Sequence, residues 1–230
     1  MKTIVVIHDE PLTKKIKRNF FIDELMVRGF HVEYWSVHKL LFKKLDLVDG
    51  VKESFCIDII SYAQLKELII KFENSFYIVD FLITRKSYWI LYYLAKHHCL
   101  ISAFGIHTSI NLSLKEKFLN IQNYGLAKIF PFAKSVIDKI VVRFMHYFFP
   151  ISDLDVFFFC GNKSFSFLNA KKKVAINSFD YEDYRKLLSE TSFTNLENRR
   201  YAVFLDQYLP YHPDIKLCWG KQNVSPAKYY

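Results

Sequence analysis

The first 37 residues, MKTIVVIHDEPLTKKIKRNFFIDELMVRGFHVEYWSV, decide the fold prediction. Residues 3–7 form a short β-branched run that a polar cluster ends, as expected of a buried strand. Residues 12–28 carry apolar side chains at helical spacing, and Gly29 follows where a helix stop is expected. Residues 30–37 alternate like a second strand. This order predicts a βαβ unit with parallel strands and a right-handed crossover.

The same alternation continues along the chain and predicts the whole architecture. Further strands are predicted at 56–60, 75–82, 100–104, 155–160, 173–177 and 201–205. Further helices are predicted at 62–72 and 88–98. Strands that are apolar throughout and alternate with helices indicate an α/β fold, a doubly wound, mainly parallel Rossmann-like sheet with helices on both faces.

A polar stretch at 189–200 (SETSFTNLENRR) interrupts this pattern. We interpret it as a linker between a Rossmann-like domain at 1–188 and the start of a second, truncated α/β domain at 201–230. About 30 residues cannot bury a sheet of their own, so the second domain is expected to be incomplete in this chain.

Glycine and cysteine usage excludes several function classes. Of 230 residues only six are glycine, and no two lie within five positions of each other, which excludes a phosphate-binding P-loop and a dinucleotide fingerprint. The four cysteines are each about 40 or more residues apart, so neither a zinc knuckle nor a redox pair is indicated. We therefore predict no metal site and no cofactor, and buried reduced cysteines.

Net charge and targeting signals do not identify the binding partner. The formal net charge is +9, which favours anionic partners such as nucleic acid, an anionic membrane or a phosphorylated substrate. No secretory signal peptide and no run of about 20 apolar residues is present in the sequence. These features predict a cytoplasmic protein.

Residues 128–149 (KIFPFAKSVIDKIVVRFMHYFF) form a basic, aromatic segment with helical spacing. Its basic side chains fall on one stripe of a helical wheel, beside a wide apolar remainder. Such a helix can lie in a membrane interface, where it would face the bilayer on the inner side of the cell membrane. The simpler explanation is an ordinary core helix with a solvated edge, and a partner surface is a further alternative. The predicted membrane-facing residues are Lys128, Lys139, Arg143, Phe144 and Phe148.

Candidate site residues follow from the topology, because ligands of an open α/β sheet bind at the carboxyl ends of its strands. His8 and Asp9 follow the first strand, and either could take the proton of an acceptor hydroxyl as general base. A loop residue or a helix cap is the simpler alternative for both. The other residues that follow strands are predicted to bind substrate: Glu10, Arg85, His107, Thr108, Asn162, Lys163, Asn177 and Asp180.

Two stretches resemble a known family. Residues 174–187 (VAINSFDYEDYRKL) contain an Asn-x-Phe-Asp-Tyr motif, and residues 201–215 (YAVFLDQYLPYHPDI) contain a Phe-Leu-Asp-Gln-Tyr-x-Pro-x-His-Pro motif. Together they resemble the interdomain crossover of bacterial surface-polysaccharide glycosyltransferases with the GT-B architecture. The start of the chain, residues 2–28, is similar to the way in which such enzymes begin.

The resemblance implies that this chain is the N-terminal domain that holds the acceptor, a cell-surface glycan or a lipid-linked acceptor. The C-terminal domain of such enzymes holds the nucleotide-sugar donor, and no bound metal is needed. Asp206, Gln207 and Tyr208 would then lie at the mouth between the domains. Since nearly all of the donor domain is absent, the resemblance implies a chain that is inactive alone. It is then a truncated gene product, a fragment of a longer protein, or a half that a partner chain completes.

Two other functions stay open from the sequence. One is a non-catalytic α/β binding module associated with the membrane or with a polysaccharide-synthesis complex. The other is a nucleic-acid-binding protein, which the charge permits but for which the sequence carries no recognised motif.

Overall fold

A computed structural model of the chain describes residues 2–42, 50–105, 129–160 and 168–178, together with positions 181 and 185. Of residues 129–135 it describes the backbone. The strands in this part of the chain are β1 (Thr3–His8), β2 (His31–Ser36), β3 (Cys56–Asp58), β4 (Phe76–Asp80), β5 (Leu100–Gly105), β6 (Leu154–Phe159) and β7 (Ala170–Ala175). The helices are α1 (Lys14–Asn19), α2 (Ile22–Val27), α3 (His38–Leu41), α4 (Tyr62–Lys71), α5 (Arg85–Lys96) and α6 (Ile129–Phe148).

The strands described form one sheet in the order β3-β2-β1-β4-β5-β6-β7. Every neighbouring pair in this sheet is parallel. The chain therefore starts in the middle of the sheet, builds outward to β3, and returns to the other side of β1 to add β4. This arrangement confirms the predicted doubly wound, Rossmann-like α/β fold.

Two apolar clusters show that helices cover both faces of the sheet. The larger cluster packs α3, α4, α5 and α6 against one face and includes Trp35, Tyr77, Tyr88 and Phe157. The smaller cluster packs α1 and α2 against the other face, around Phe20 and other buried side chains. A strand that is covered on both faces must be apolar on both sides, which explains the continuous apolar runs at 3–7 and 100–104.

The predicted helix at 12–28 is wrong in one respect, because the structure divides it into α1 and α2. The break falls at Phe21, whose backbone is left-handed with φ +51°. In a continuous helix Phe20 and Ile22 would point about 200° apart, so both could not face the sheet. The break allows both side chains to be buried while Phe21 is left half exposed.

Most other boundaries differ from the prediction by one or two residues, and two differ by three. Helix α5 begins at Arg85 rather than at position 88, because Thr84 and Ser87 form a reciprocal capping box at its start. Strand β7 begins at Ala170 rather than at 173, so Lys171, Lys172 and Lys173 lie on it. Lysines are typical of an edge strand, where their charge opposes pairing with another sheet. The predicted linker at 189–200 and the strand at 201–205 lie outside the described residues.

Candidate functional site

The topology places a crevice between β1 and β4. These strands are neighbours in the sheet, but the connections that follow them pack on opposite faces. In open α/β sheets such a switch point, at the carboxyl ends of the strands, is the position of the ligand-binding crevice. His8 ends β1 and Asp80 ends β4, and the two residues are directly opposite each other in the parallel register.

His8 lies between two carboxylates at this crevice. Its Nε2 is 3.5 Å from Oδ2 of Asp80, and its Nδ1 is 3.5 Å from Oδ1 of Asp9. The backbone N–H of Glu10 donates a hydrogen bond to Nδ1 of His8, with 2.9 Å between the nitrogens. A ring nitrogen that accepts must be unprotonated, so the neutral His8 ring carries its proton on Nε2, the nitrogen that lies 3.5 Å from Oδ2 of Asp80.

Burial keeps this imidazole neutral. The side chain of His8 is 12% exposed, and burial lowers its pKa from 6.5 to about 4. Burial removes the hydration that the charged imidazolium would need. The ring of Phe20 meets His8 edge-on at a centroid distance of 5.8 Å, and the ring of Tyr34 stacks on it at 6.3 Å.

Tyr34 also positions the loop after β1. Its hydroxyl donates a hydrogen bond of 2.8 Å to the backbone oxygen of Glu10. Burial, with a smaller contribution from nearby acidic groups, raises the pKa of Tyr34, so the phenol stays protonated and keeps this donor. Asp9 and Glu10 are thereby held at the rim of the crevice by a group on β2.

This geometry changes the chemical role expected for His8. A general base needs a lone pair directed at the substrate, and the lone pair on Nδ1 already receives the Glu10 N–H. The groups able to take a proton are therefore the carboxylates of Asp9 and Asp80, each 25% exposed. His8 is better suited to limit the positions of Asp80, through the contact of 3.5 Å, than to act as the base itself.

The remaining predicted site residues lie in different places. Arg85 begins α5, and its Nε forms an ion pair of 3.2 Å with Asp138 of α6. Asn177 follows β7 at the same edge of the sheet as His8. Four strand spacings separate β7 from β1, a distance of about 19 Å. The other residues predicted to bind substrate lie outside the described residues: His107, Thr108, Asn162, Lys163, Asp180, Asp206, Gln207 and Tyr208.

Sequence reasoning missed Asp80, which the structure places next to His8. It lies within the predicted strand 75–82 (SFYIVDFL), where it is the one charged residue in an apolar run. A carboxylate near the end of a buried strand is costly unless the strand stops there or a partner is close. The single charged residue in this apolar run was the feature of the sequence that could have identified Asp80. The structure shows that β4 does end at Asp80.

No cluster suited to a metal ion is found in the part of the chain that the structure describes. There, no three histidine, cysteine, aspartate or glutamate side chains converge as metal ligands do. Asp155, one of the acidic residues near the end of α6, accepts hydrogen bonds from the Ile101 N–H at 2.8 Å and from Lys171 Nζ at 2.7 Å.

Four of the five predicted membrane-facing residues lie on α6. Lys139, Arg143, Phe144 and Phe148 are all exposed, with Phe144 64% and Phe148 55% accessible. Lys128 precedes the helix and lies outside the described residues. None of the helices that the structure describes combines the length and apolar character that crossing a membrane requires.

Comparisons with known proteins found no relative. A scan against models of protein families, a search of curated proteins and a search of solved structures each gave no match to this chain. The class defined by fold and site is thus a Rossmann-like α/β protein with a histidine and two carboxylates at its topological switch point.

Proposed function

We propose that the chain is the N-terminal, acceptor-side half of a glycosyltransferase that moves a sugar from a nucleotide sugar to a cell-surface glycan or lipid-linked acceptor. The observation that carries this proposal is the position of Asp9, His8 and Asp80 at the switch point of the sheet. The two motifs at 174–187 and 201–215 add support from the sequence.

In the proposed reaction the acceptor hydroxyl oxygen attacks the anomeric carbon of the donor sugar. A new carbon–oxygen bond forms, the bond to the diphosphate breaks, and the nucleoside diphosphate leaves with the electron pair. The hydroxyl proton passes to the carboxylate of Asp80 or Asp9, which acts as general base. His8 holds Asp80 in place, and the diphosphate is bound by the second domain, as the family resemblance implies.

The first prediction tests this proposal by turnover. The chain is mixed with the donor domain of a GT-B enzyme, a panel of UDP-, GDP- and dTDP-sugars, and glycan or lipid-linked acceptors, and release of nucleoside diphosphate is measured. Asp80→Asn or Asp9→Asn should lower the rate by at least about 100-fold, the typical contribution of a general base. His8→Gln should lower it less.

Asp23→Asn is the matched control for these variants. Asp23 is an exposed carboxylate on α2 that pairs with Lys17, away from the crevice, so this variant should keep the full rate. Absence of turnover in a sample shown by circular dichroism to be folded, with the donor domain added, would contradict the proposal. So would full activity in both the Asp9 and Asp80 variants.

A second candidate function is a non-catalytic α/β binding module that acts at the membrane, on its inner face, or in a polysaccharide-synthesis complex. The exposed apolar and basic surface of α6 favours it, because such surfaces mark interaction sites. Binding of acceptor oligosaccharides without any donor turnover would distinguish this module from the enzyme.

A further inference from the structure

Helix α6 exposes its apolar side instead of burying it. Between 136 and 149 the large apolar side chains with at least 39% exposure are Val136, Ile137, Ile140, Phe144, Tyr147, Phe148 and Phe149. We call the first six of these, which share one side of the helix, the α6 face. At 100° per residue they span an arc of about 120°. Val142, at 3% exposure, lies on the opposite side and packs into the core.

Contacts with α5 hold α6 in this orientation. The hydroxyl of Tyr88 donates a hydrogen bond of 2.6 Å to the backbone oxygen of Phe149. Arg85 pairs with Asp138, and Phe149 packs against the rings of Trp89 and Tyr92. Since these anchors lie on the side of α6 that meets α5, the outward direction of the α6 face is a consequence of the fold.

Basic side chains border the α6 face. Lys139 and Arg143 are exposed and follow each other along one flank, within about 60° of Val136 on the helical wheel. At the carboxyl end of the helix, Phe148 and Phe149 line a cleft of about 520 Å³ whose other walls include Lys96, His98 and Lys171. The one acidic residue of α6, Asp138, is paired with Arg85.

We infer that the α6 face is a docking surface for an anionic lipid bilayer, with the helix lying in the plane of the interface. Aromatic and aliphatic side chains surrounded by lysine and arginine are the composition that inserts into the headgroup region while the cations meet anionic lipids. This inference rests on the second candidate function and is independent of sugar transfer.

Charge argues for lipid rather than a second copy of the chain as the occupant. A two-fold dimer through the α6 face would bring Lys139 and Arg143 of one copy close to the same residues of the other. The chain carries a net charge of +9, so pairing two copies also adds long-range repulsion. An anionic bilayer avoids both the close approach of like charges and the long-range repulsion between two copies.

The second prediction is that the full chain co-sediments with vesicles of phosphatidylcholine containing 30% phosphatidylglycerol, and not with pure phosphatidylcholine vesicles. Replacement of two cations in K139Q/R143Q should weaken binding by about 30-fold, since each contributes about fivefold at an anionic surface. F144S/F148S should weaken binding by about 100-fold even at low salt, because two buried aromatic side chains are lost.

Two controls separate the α6 face from general charge and hydrophobicity. Ile70→Ser removes an equally exposed apolar side chain from α4, and K14Q/K15Q removes two exposed cations from α1 on the opposite face of the sheet. Both should bind vesicles as the parent does. All four substituted residues of the α6 variants are exposed, so circular dichroism should show unchanged folding.

Three outcomes would overturn the inference. One is no binding of the folded chain to the anionic vesicles. Another is binding that falls equally in K14Q/K15Q and K139Q/R143Q, which would indicate net charge alone. The third is a dimer, seen by light scattering without vesicles, that F144S/F148S dissociates, which would assign the face to a second copy.

Discussion

His8 links the ionisation of one side chain to the stability of the whole fold. The imidazole is enclosed by Phe20 and Tyr34 and accepts a hydrogen bond from the Glu10 N–H. The folded state therefore stabilises the neutral imidazole relative to the imidazolium. The unfolded chain has no such preference. Between the two pKa values, acid therefore protonates His8 in the unfolded chain but not in the folded one, and this difference is measurable.

The third prediction concerns pH. Because the pKa of His8 falls from 6.5 unfolded to about 4 folded, the unfolded state binds the extra proton between these values. The stabilisation is fully present above pH 6.5, is lost as the pH falls toward 4, and amounts to roughly 3 kcal/mol. Urea unfolding of the parent from pH 7.5 to 4 should show this loss.

His8→Gln tests the assignment, since glutamine cannot titrate. The difference in unfolding free energy between parent and variant should shrink by roughly 3 kcal/mol from pH 7.5 to 4. His31→Gln is the control, because His31 is 46% exposed and pairs with Glu33 at the other end of the sheet. A pH-independent difference for His8→Gln would show that this imidazole is not the linked group.

At the scale of elements, the pairing of α5 with α6 decides which side of α6 faces outward. The Tyr88 ring is fully buried, and its hydroxyl reaches the last turn of α6 through the backbone oxygen of Phe149. Burial raises the pKa of Tyr88 to about 12, so it remains a donor at all physiological pH values. The hydrogen bond from this buried tyrosine thus helps to fix the orientation in which α6 packs, with the α6 face outward.

The fourth prediction is that Tyr88→Phe lowers the free energy of unfolding by about 1–2 kcal/mol, because the carbonyl of Phe149 loses its donor. Tyr62→Phe is a matched control. Its hydroxyl donates a bond of 2.8 Å to the backbone oxygen of Lys86, but at an exposed position where water can replace it. The control should cost a few tenths of a kcal/mol. Equal losses in the two variants would contradict the proposed difference.

At the scale of the molecule, the sheet described here extends to β7, and the predicted domain boundary follows it in sequence. The polar stretch 189–200 contains Arg199 and Arg200. A linker between domains is the first place that a protease reaches, since cleavage of packed elements requires local unfolding.

The fifth prediction is that trypsin cuts first at Arg199 or Arg200 and leaves a resistant fragment beginning at Met1, identified by mass spectrometry. Lysines within the packed region, such as Lys86, which donates from Nζ to the backbone oxygen of Leu41, should be cut later. First cuts within the elements from β1 to β5 would contradict the prediction that the segment most accessible to trypsin is the linker at 189–200.

The sequence by itself determined the type and order of the strands and of the longer helices. Apolar runs alternating with helical patterns specify buried parallel strands, and parallel connections allow few topologies. The same rule placed His8, Asp9 and Glu10 at a ligand-binding edge, because the residue after a parallel strand is at the carboxyl end wherever that strand lies in the sheet.

Only the tertiary structure decided which of these groups meet. Asp80 is 72 residues from His8 in sequence, and their contact depends on β4 pairing with β1 in one register. The break at Phe21 and the outward α6 face depend on how helices rotate against the sheet. Periodicity records that a helix has an apolar side, but the neighbouring elements decide whether that side is buried.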